Sequence, residues 1–271
     1  MRSERLEIKM KIGFIGTGNM GGAIIEGIVK NKLSDDISAF DKNESALGAL
    51  AEKLGIIPKK NEKEVAEDCD ILFLAVKPNV VYSVIDKIKD SVKANTVVVS
   101  IVAGQSIEKL ESAFGKPVKL VRVMPNTPAL VGESMAALCK NENAGDDDLN
   151  EVSKIFNCLG KAEIVSEYMM DAVTAVSGSS PAYVFMMIEA MADAAVMGGI
   201  PRAKAYTFAA QAVLGSAKMV LETGRHPGEL KDMVCSPAGT TIEAVKVLEE
   251  CGFRSAIIEA MQACMDKSKS M

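Results

Sequence analysis

Tryptophan is absent from the 271 residues, and histidine occurs once. The six cysteines (Cys69, Cys139, Cys158, Cys235, Cys251 and Cys264) are widely spaced and form no CxxC pair. With a single histidine beside them, the ligand spacing of a zinc site is missing, and no metal is expected. The same spacing reads as reduced thiols in a cytoplasmic protein, most of them in the core. A strong charge is also missing. The net charge is −5 and Lys and Arg are scattered, which argues against nucleic acid or an anionic membrane as the main partner. The longest apolar runs, such as AYVFMMI, are far shorter than the ~20 residues of a membrane span. The opening MRSERLEIKM lacks the apolar centre of a signal peptide. It reads as an upstream extension, since Met10 stands directly before the first strand.

What is present divides in two. Apolar runs at 11–16, 36–41, 69–76, 95–102 and 117–124 alternate with stretches of helical spacing. Near-continuous apolar strands separated by helices predict a parallel sheet covered on both faces, an α/β doubly wound fold. Residues 134–139 and 162–165 read as added edge strands. After about residue 167 no β-rich run remains. Ser180 and Pro181 open a long Ala- and Met-rich helix, Gly198 and Gly199 end it, and Pro201 to Gly224 frame the next. The expected domains are therefore 10–166, α/β, and 167–271, all-α. An apolar helical domain of this size completes its core with a second subunit, or else stands as a self-contained bundle.

Function is carried first by Gly16-x-Gly18-x-x-Gly21, which follows a strand and opens a helix. That context is the dinucleotide fingerprint: a tight turn, a close approach of backbone to pyrophosphate, and close helix–strand packing. Ile15, Gly16, Thr17, Gly18, Asn19 and Met20 are the expected cradle. Asp41 ends the second strand, placed to meet a ribose 2′-hydroxyl. Ala75, Val76, Lys77 and Pro78 end one later strand, and Ile101, Val102 and Ala103 the next; both ends can offer backbone groups to a cofactor. Lys77 either meets a phosphate or is solvated. The loop RVMPNTPALVG brings Asn126 and Thr127 as short polar groups for the nicotinamide end.

A second candidate lies in SPAGTT (236–241), before the helical IEAVKVLEE. Taken alone it is an anion-binding helix start or ordinary capping by Ser236, Thr240 or Thr241. The segments FIGTGNMG, LFLAVKP, VRVMPNTP, SGSSPAYVF, HPGELKDMVCSPAGTTIEAVKVLE and GFRSAIIEA fall in order along the chain. Together they resemble pyrroline-5-carboxylate reductase from near Met10 to the C-terminus.

The resemblance implies a Rossmann domain and an all-α dimerisation domain. It implies a homodimer, and dimers assembled into larger oligomers such as a decamer. It implies reduction of 1-pyrroline-5-carboxylate to L-proline with NADPH or NADH, the final step of proline biosynthesis. It carries the substrate loop onto Ala238, Gly239, Thr240 and Thr241, with Thr241 catalytic. It places Glu167 near the substrate, where a solvated helix-start Glu is the other reading. It matches Asn61 to a position contacting the adenosine ribose or its phosphate. The family often has Gly where Ser180 and Ala238 stand here.

His226, in RHPGEL, reads as ordering a loop or a subunit contact rather than as an acid. Two alternatives remain beside the reductase. One is a related Rossmann and all-α dehydrogenase or imine reductase acting on another small carboxylate. The hydroxy-acid enzymes of that kind usually place a catalytic Lys on the first long helix of the second domain, and SPAYVFMMIEAMADAAVMGG has none. The other is a dinucleotide-sensing protein without turnover, which would not need the carboxylate loop.

Overall fold

The computed structural model describes residues 10–271; the extension read at residues 1–9 lies outside the described residues. Strands β1 (Ile12–Ile15), β2 (Ile37–Phe40), β3 (Ile57–Pro58), β4 (Ile71–Leu74), β5 (Val97–Ser100), β6 (Lys119–Met124), β7 (Ser134–Lys140) and β8 (Gly160–Ile164) form one sheet. Its spatial order is β3-β2-β1-β4-β5-β6-β7-β8. All neighbours run parallel except β6 and β7. Ile12 pairs with Ile37 on one side and with Ile71 on the other.

The apolar runs of β1, β4 and β5 are unbroken because these strands are buried on both faces. Ile12, Phe14, Ile71, Phe73, Val97 and Val99 belong to one core. Their alternates Ile15, Leu72, Leu74 and Val98 belong to the other. Phe14 and Phe73 stack with ring centroids 4.5 Å apart, tying β1 to β4. The edge strands expected at 134–139 and 162–165 are β7 and β8. The sequence does not reveal β3: it has two residues, one of them a proline, and both are exposed. Such a piece carries no apolar alternation and fits only an edge.

The helices are α1 (Asn19–Lys30), α2 (Glu44–Leu54), α3 (Glu62–Glu67), α4 (Val81–Ile88), α5 (Ile107–Phe114), α6 (Asp146–Asn157), α7 (Met170–Val173), α8 (Ser180–Met197), α9 (Arg202–Thr223), α10 (Pro227–Val234), α11 (Thr240–Glu250) and α12 (Phe253–Lys269). Pro201 precedes α9, and Gly224 ends it at φ 63°, a left-handed value that suits glycine. His226 caps α10: its Nδ1 accepts from the Gly228 N–H at 3.1 Å.

The chain forms two compact units. One runs to Ser179 and takes in Cys264–Met271; the other is Ser180–Ala263. The first unit thus extends past the 166/167 division drawn from sequence. The reason is packing: Met170 joins the core beside β4 and β5, and Thr174 and Ala175 are buried with it. In the second unit the only buried hydrophobic residues are Ala192, Ala205 and Ala209. Phe185, Met186, Phe208 and Leu221 are exposed, and Met197 is 90% exposed.

From Glu167 to Met197 the chain is long and apolar enough, by length and composition, to cross a membrane, with mean hydropathy 1.2. The single apolar runs do not show this. It arises because α7, a π-turn (Thr174–Gly178) and α8 follow one another with only Ser179 between the last two.

Burial pushes the Cys69 and Cys139 thiols up to about 12. Iodoacetamide at pH 8 should therefore leave both unmodified in the native protein and alkylate them after denaturation, read by peptide mass spectrometry. Labelling of either thiol in the native protein would show that its site opens.

Candidate functional site

The ends of β1 and β4 meet where the strand order reverses, the place where doubly wound sheets bind ligands. Backbone crowding shapes the turn there. Gly16 has φ 99°, and a Cβ on it would stand 2.4 Å from the Ala75 carbonyl oxygen. A Cβ on Gly21 would stand 2.4 Å from the Gly16 oxygen. Gly18 differs, with no atom within 4 Å of where its Cβ would be. Gly18 is also the N-cap of α1, and no side chain caps that helix. An uncapped helix start beside open space is a cradle for a phosphate.

The cleft in front of it has a volume of about 350 Å³. Its walls include Ile15, Gly16, Gly18, Asp41, Ala75, Val76 and Lys77, all expected from sequence, and Lys42 beside Asp41. They also include Phe40, Glu62, Val80, Ser83 and Val84, which sequence reasoning misses. The valines sit four apart at the start of α4, a spacing that a sequence reader assigns to core.

Several expected residues are engaged elsewhere. Thr17 gives its N–H to Asp41 Oδ2 at 2.7 Å, and its hydroxyl lies 3.3 Å from the same oxygen. Asp41 Oδ1 accepts from the Asn43 N–H at 2.9 Å. The carboxylate therefore ties the end of β2 to the glycine loop, whatever it offers a ribose. Asn19 and Met20 are the first residues of α1. Asn61 caps α3: it accepts from the Glu64 N–H and donates to Glu64 Oε1, both at 3.0 Å. Pro78 opens a 3-10 turn (Pro78–Val80). Ile101, Val102 and Ala103 follow β5, but the Val102 side chain is core and its N–H donates to Ser100 Oγ at 3.4 Å, which leaves its carbonyl for a ligand. Asn126 is buried and bonds Ser177, Ser134 and Met135.

In the second unit the 236–241 loop leads into α11. Its N-cap is Gly239, with no side-chain cap. The N-cap position is thus held by none of Ser236, Thr240 and Thr241. The Gly239 N–H is used within the loop, bonded to the Ser236 oxygen at 3.0 Å. The N–H groups of Thr240 and Thr241, in the first turn, have no intrahelical partner. Ala238 has φ 55°, left-handed and unusual for a residue with a Cβ.

Comparison with known proteins decides the family. Residues 167–271 match the model described as pyrroline-5-carboxylate reductase dimerisation, and residues 11–104 one described as NADP oxidoreductase, coenzyme F420-dependent. The pyrroline-5-carboxylate reductase of Escherichia coli is 53% identical, over 97% of this chain and 99% of that one. This chain belongs to the pyrroline-5-carboxylate reductase family. The reductase of Methanosarcina acetivorans is 46% identical, over 96% of this chain and 97% of its own. The solved Plasmodium falciparum pyrroline carboxylate reductase, which has NADP bound, superposes with a TM-score of 0.89 at 34% identity, covering 97% of this chain and 98% of that one.

Glu167, which the resemblance to the reductases places near substrate, has structural partners in this chain. Its Oε1 accepts from Arg122 Nη1 at 2.9 Å and from the Ile107 N–H at 2.7 Å. Arg122 is a buried cation on β6, and the Ile107 N–H opens α5. Removing the carboxylate leaves that cation unpaired. Because Glu167 is itself one-third open to solvent, Glu167→Ala should cost about 2 kcal/mol, below the range for a fully buried pair. Urea unfolding at fixed protein concentration measures it. A normal unfolding midpoint with a raised KM for the substrate would instead give Glu167 a substrate contact and no structural weight.

Proposed function

We propose that the protein reduces 1-pyrroline-5-carboxylate to L-proline with NADPH or NADH, closing proline biosynthesis. The observation that carries this reading is the uncapped start of α11 inside the substrate loop of the family. It is the chemistry a small carboxylate needs: free N–H groups at the positive end of a helix. Ala238, Thr240 and Thr241 would supply them, and Gly239 would keep the turn closed. The Thr241 hydroxyl would bond the ring nitrogen and fix the orientation of the imine carbon. That is positioning and polarisation.

The first unit suits the dinucleotide. Open space at Gly18 and the uncapped start of α1 would take the pyrophosphate. Asp41 would meet the ribose, and the strand ends at Ala75–Pro78 and Ile101–Ala103 would contribute backbone groups. When bound, the cofactor supplies the hydride. In this reading residues 10–166 bind the dinucleotide, and 167–271 dimerise and bind substrate.

The exposed apolar helices fit a homodimer, since a unit with three buried alanines has no core of its own. A second copy accounts for the apolar Glu167–Met197 stretch without a bilayer. We extend the reading to further assembly of dimers, up to a decamer. We read the location as cytoplasmic, with no nucleic-acid or membrane partner, in keeping with a net charge of −5 and scattered cations.

Oxidation of NADPH or NADH that depends on added pyrroline-5-carboxylate tests the activity, and Thr241→Val tests the site. The variant should lose about tenfold or more in kcat/KM, the equivalent of one hydrogen bond of ~1.5 kcal/mol, with cofactor affinity little changed. Thr240→Val should behave as wild type. Full turnover in Thr241→Val removes its hydroxyl from the mechanism.

Cofactor choice rests on Asp41. Its charge disfavours a 2′-phosphate, while Lys42 offsets part of it. Asp41→Ser should shift the kcat/KM ratio toward NADPH by at least about severalfold. Because Asp41 also holds Thr17, affinity for NADH should fall in the same variant. An unchanged ratio at fixed ionic strength would mean that the carboxylate serves only the glycine loop.

A further inference from the structure

Glu62 is the only buried carboxylate among the described residues, 5% exposed, and it lines the cleft. It is the first residue of α3. Its Oε1 accepts from Lys87 Nζ at 2.7 Å, from α4. Burial pushes its pKa up. The bonded Lys87, its own backbone N–H and the charge of Lys42 outweigh burial and hold the carboxyl below its ordinary value. The group is therefore an anion in a largely apolar wall. Such a charge is costly to bury, so its presence asks for a donor facing it.

Position narrows what that donor is. β3 pairs with β2, and α3 follows β3, so Glu62 lies on the β2 side of the switch point, the adenosine half of a doubly wound site. Phe40, Val76, Val80 and Val84 line the same cleft, an apolar lining that suits a flat ring. A buried carboxylate repels phosphate. It accepts from an amine, and a carboxylate has about four acceptor positions, of which Lys87 and its own backbone N–H take two.

We propose that Glu62 reads the exocyclic amine of the adenine ring and makes the cleft selective for adenine dinucleotides. This rests on the dinucleotide reading given above, and gives the adenine end of that site its recognition element. The hypoxanthine analogue of NADH has a carbonyl oxygen where adenine has its amine. At that position acceptor meets acceptor, and the analogue's one N–H on this edge is displaced to the neighbouring ring nitrogen.

Calorimetric binding of NADH and of hypoxanthine NADH to the full-length protein tests this without turnover. Wild type should bind NADH at least about tenfold more tightly than the analogue, the scale of a hydrogen bond to a charged group. In Glu62→Gln the amide can donate to the carbonyl, and the preference should shrink to within about threefold. Lys87→Gln breaks the same ion pair but keeps the carboxylate, and should retain the wild-type preference. Equal affinities in wild type, or an unchanged preference in Glu62→Gln, overturn the proposal while leaving dinucleotide binding intact. Loss of preference in Lys87→Gln as well would make the ion pair, not the carboxylate, the cause, and also overturns it. Wild type that binds neither dinucleotide overturns the underlying reading together with this one.

Discussion

The helix that follows the first strand can start where it does only because Gly21 lets it lie against the Gly16 carbonyl. A Cβ at either glycine would stand 2.4 Å from a backbone oxygen, a distance no side chain tolerates. The contact fixes α1 over the seam between β1 and β4. It leaves the α1 start facing open space at Gly18, with no side chain to close it. The stacked pair Phe14 and Phe73 holds that seam from below, one residue from each strand. Sheet, turn and cleft therefore depend on one close approach of backbone to backbone.

Polar groups hold the surrounding loops, and they do so by saturating one another. Asp41 takes hydrogen bonds from Thr17 and Asn43; Asn126 bonds three neighbours; Glu167 joins Arg122 to α5. Asp41 connects the end of β2 to the glycine loop, Asn126 connects its loop to β7, and Glu167 connects β6 to the start of α5. A group with such bonds is held in one position, and that suits a site whose ligand must be oriented. It also means that a substitution at Asp41 acts on the loop as well as on the ligand.

Much of this was legible in the residues. Alternation of apolar runs and helical spacing located the main strands, because burial on both faces leaves few alternatives. The glycine spacing located the cradle. Illegible were β3, too short for any pattern, and the cleft wall from Phe40, Glu62, Val80, Ser83 and Val84. Those residues come from three places in the chain, and only the topology unites them. Sequence also could not show that Glu167 is occupied, since Arg122 and Ile107 lie far along the chain, whereas the Asn61 cap uses Glu64, only three residues on. The division at 167 came from composition, whereas packing carries the first unit on to Ser179.

The helix starts of the chain fall into two groups, and α4, α6, α7 and α9 lack a side-chain cap as α1 and α11 do. α2, α3 and α5 are capped by Asn43, Asn61 and Ser106, and α10 by His226. α1 and α11 begin at glycine with no side-chain cap. A missing cap costs a helix about 1 kcal/mol, and a left-handed Ala238 adds roughly as much again. These losses fall at the starts that carry the phosphate-cradle and carboxylate-loop motifs. A cap would satisfy the same N–H groups that an anion needs, so the helix start cannot serve both. On the function proposed above, the stability forgone at these two starts keeps their N–H groups available to an anion.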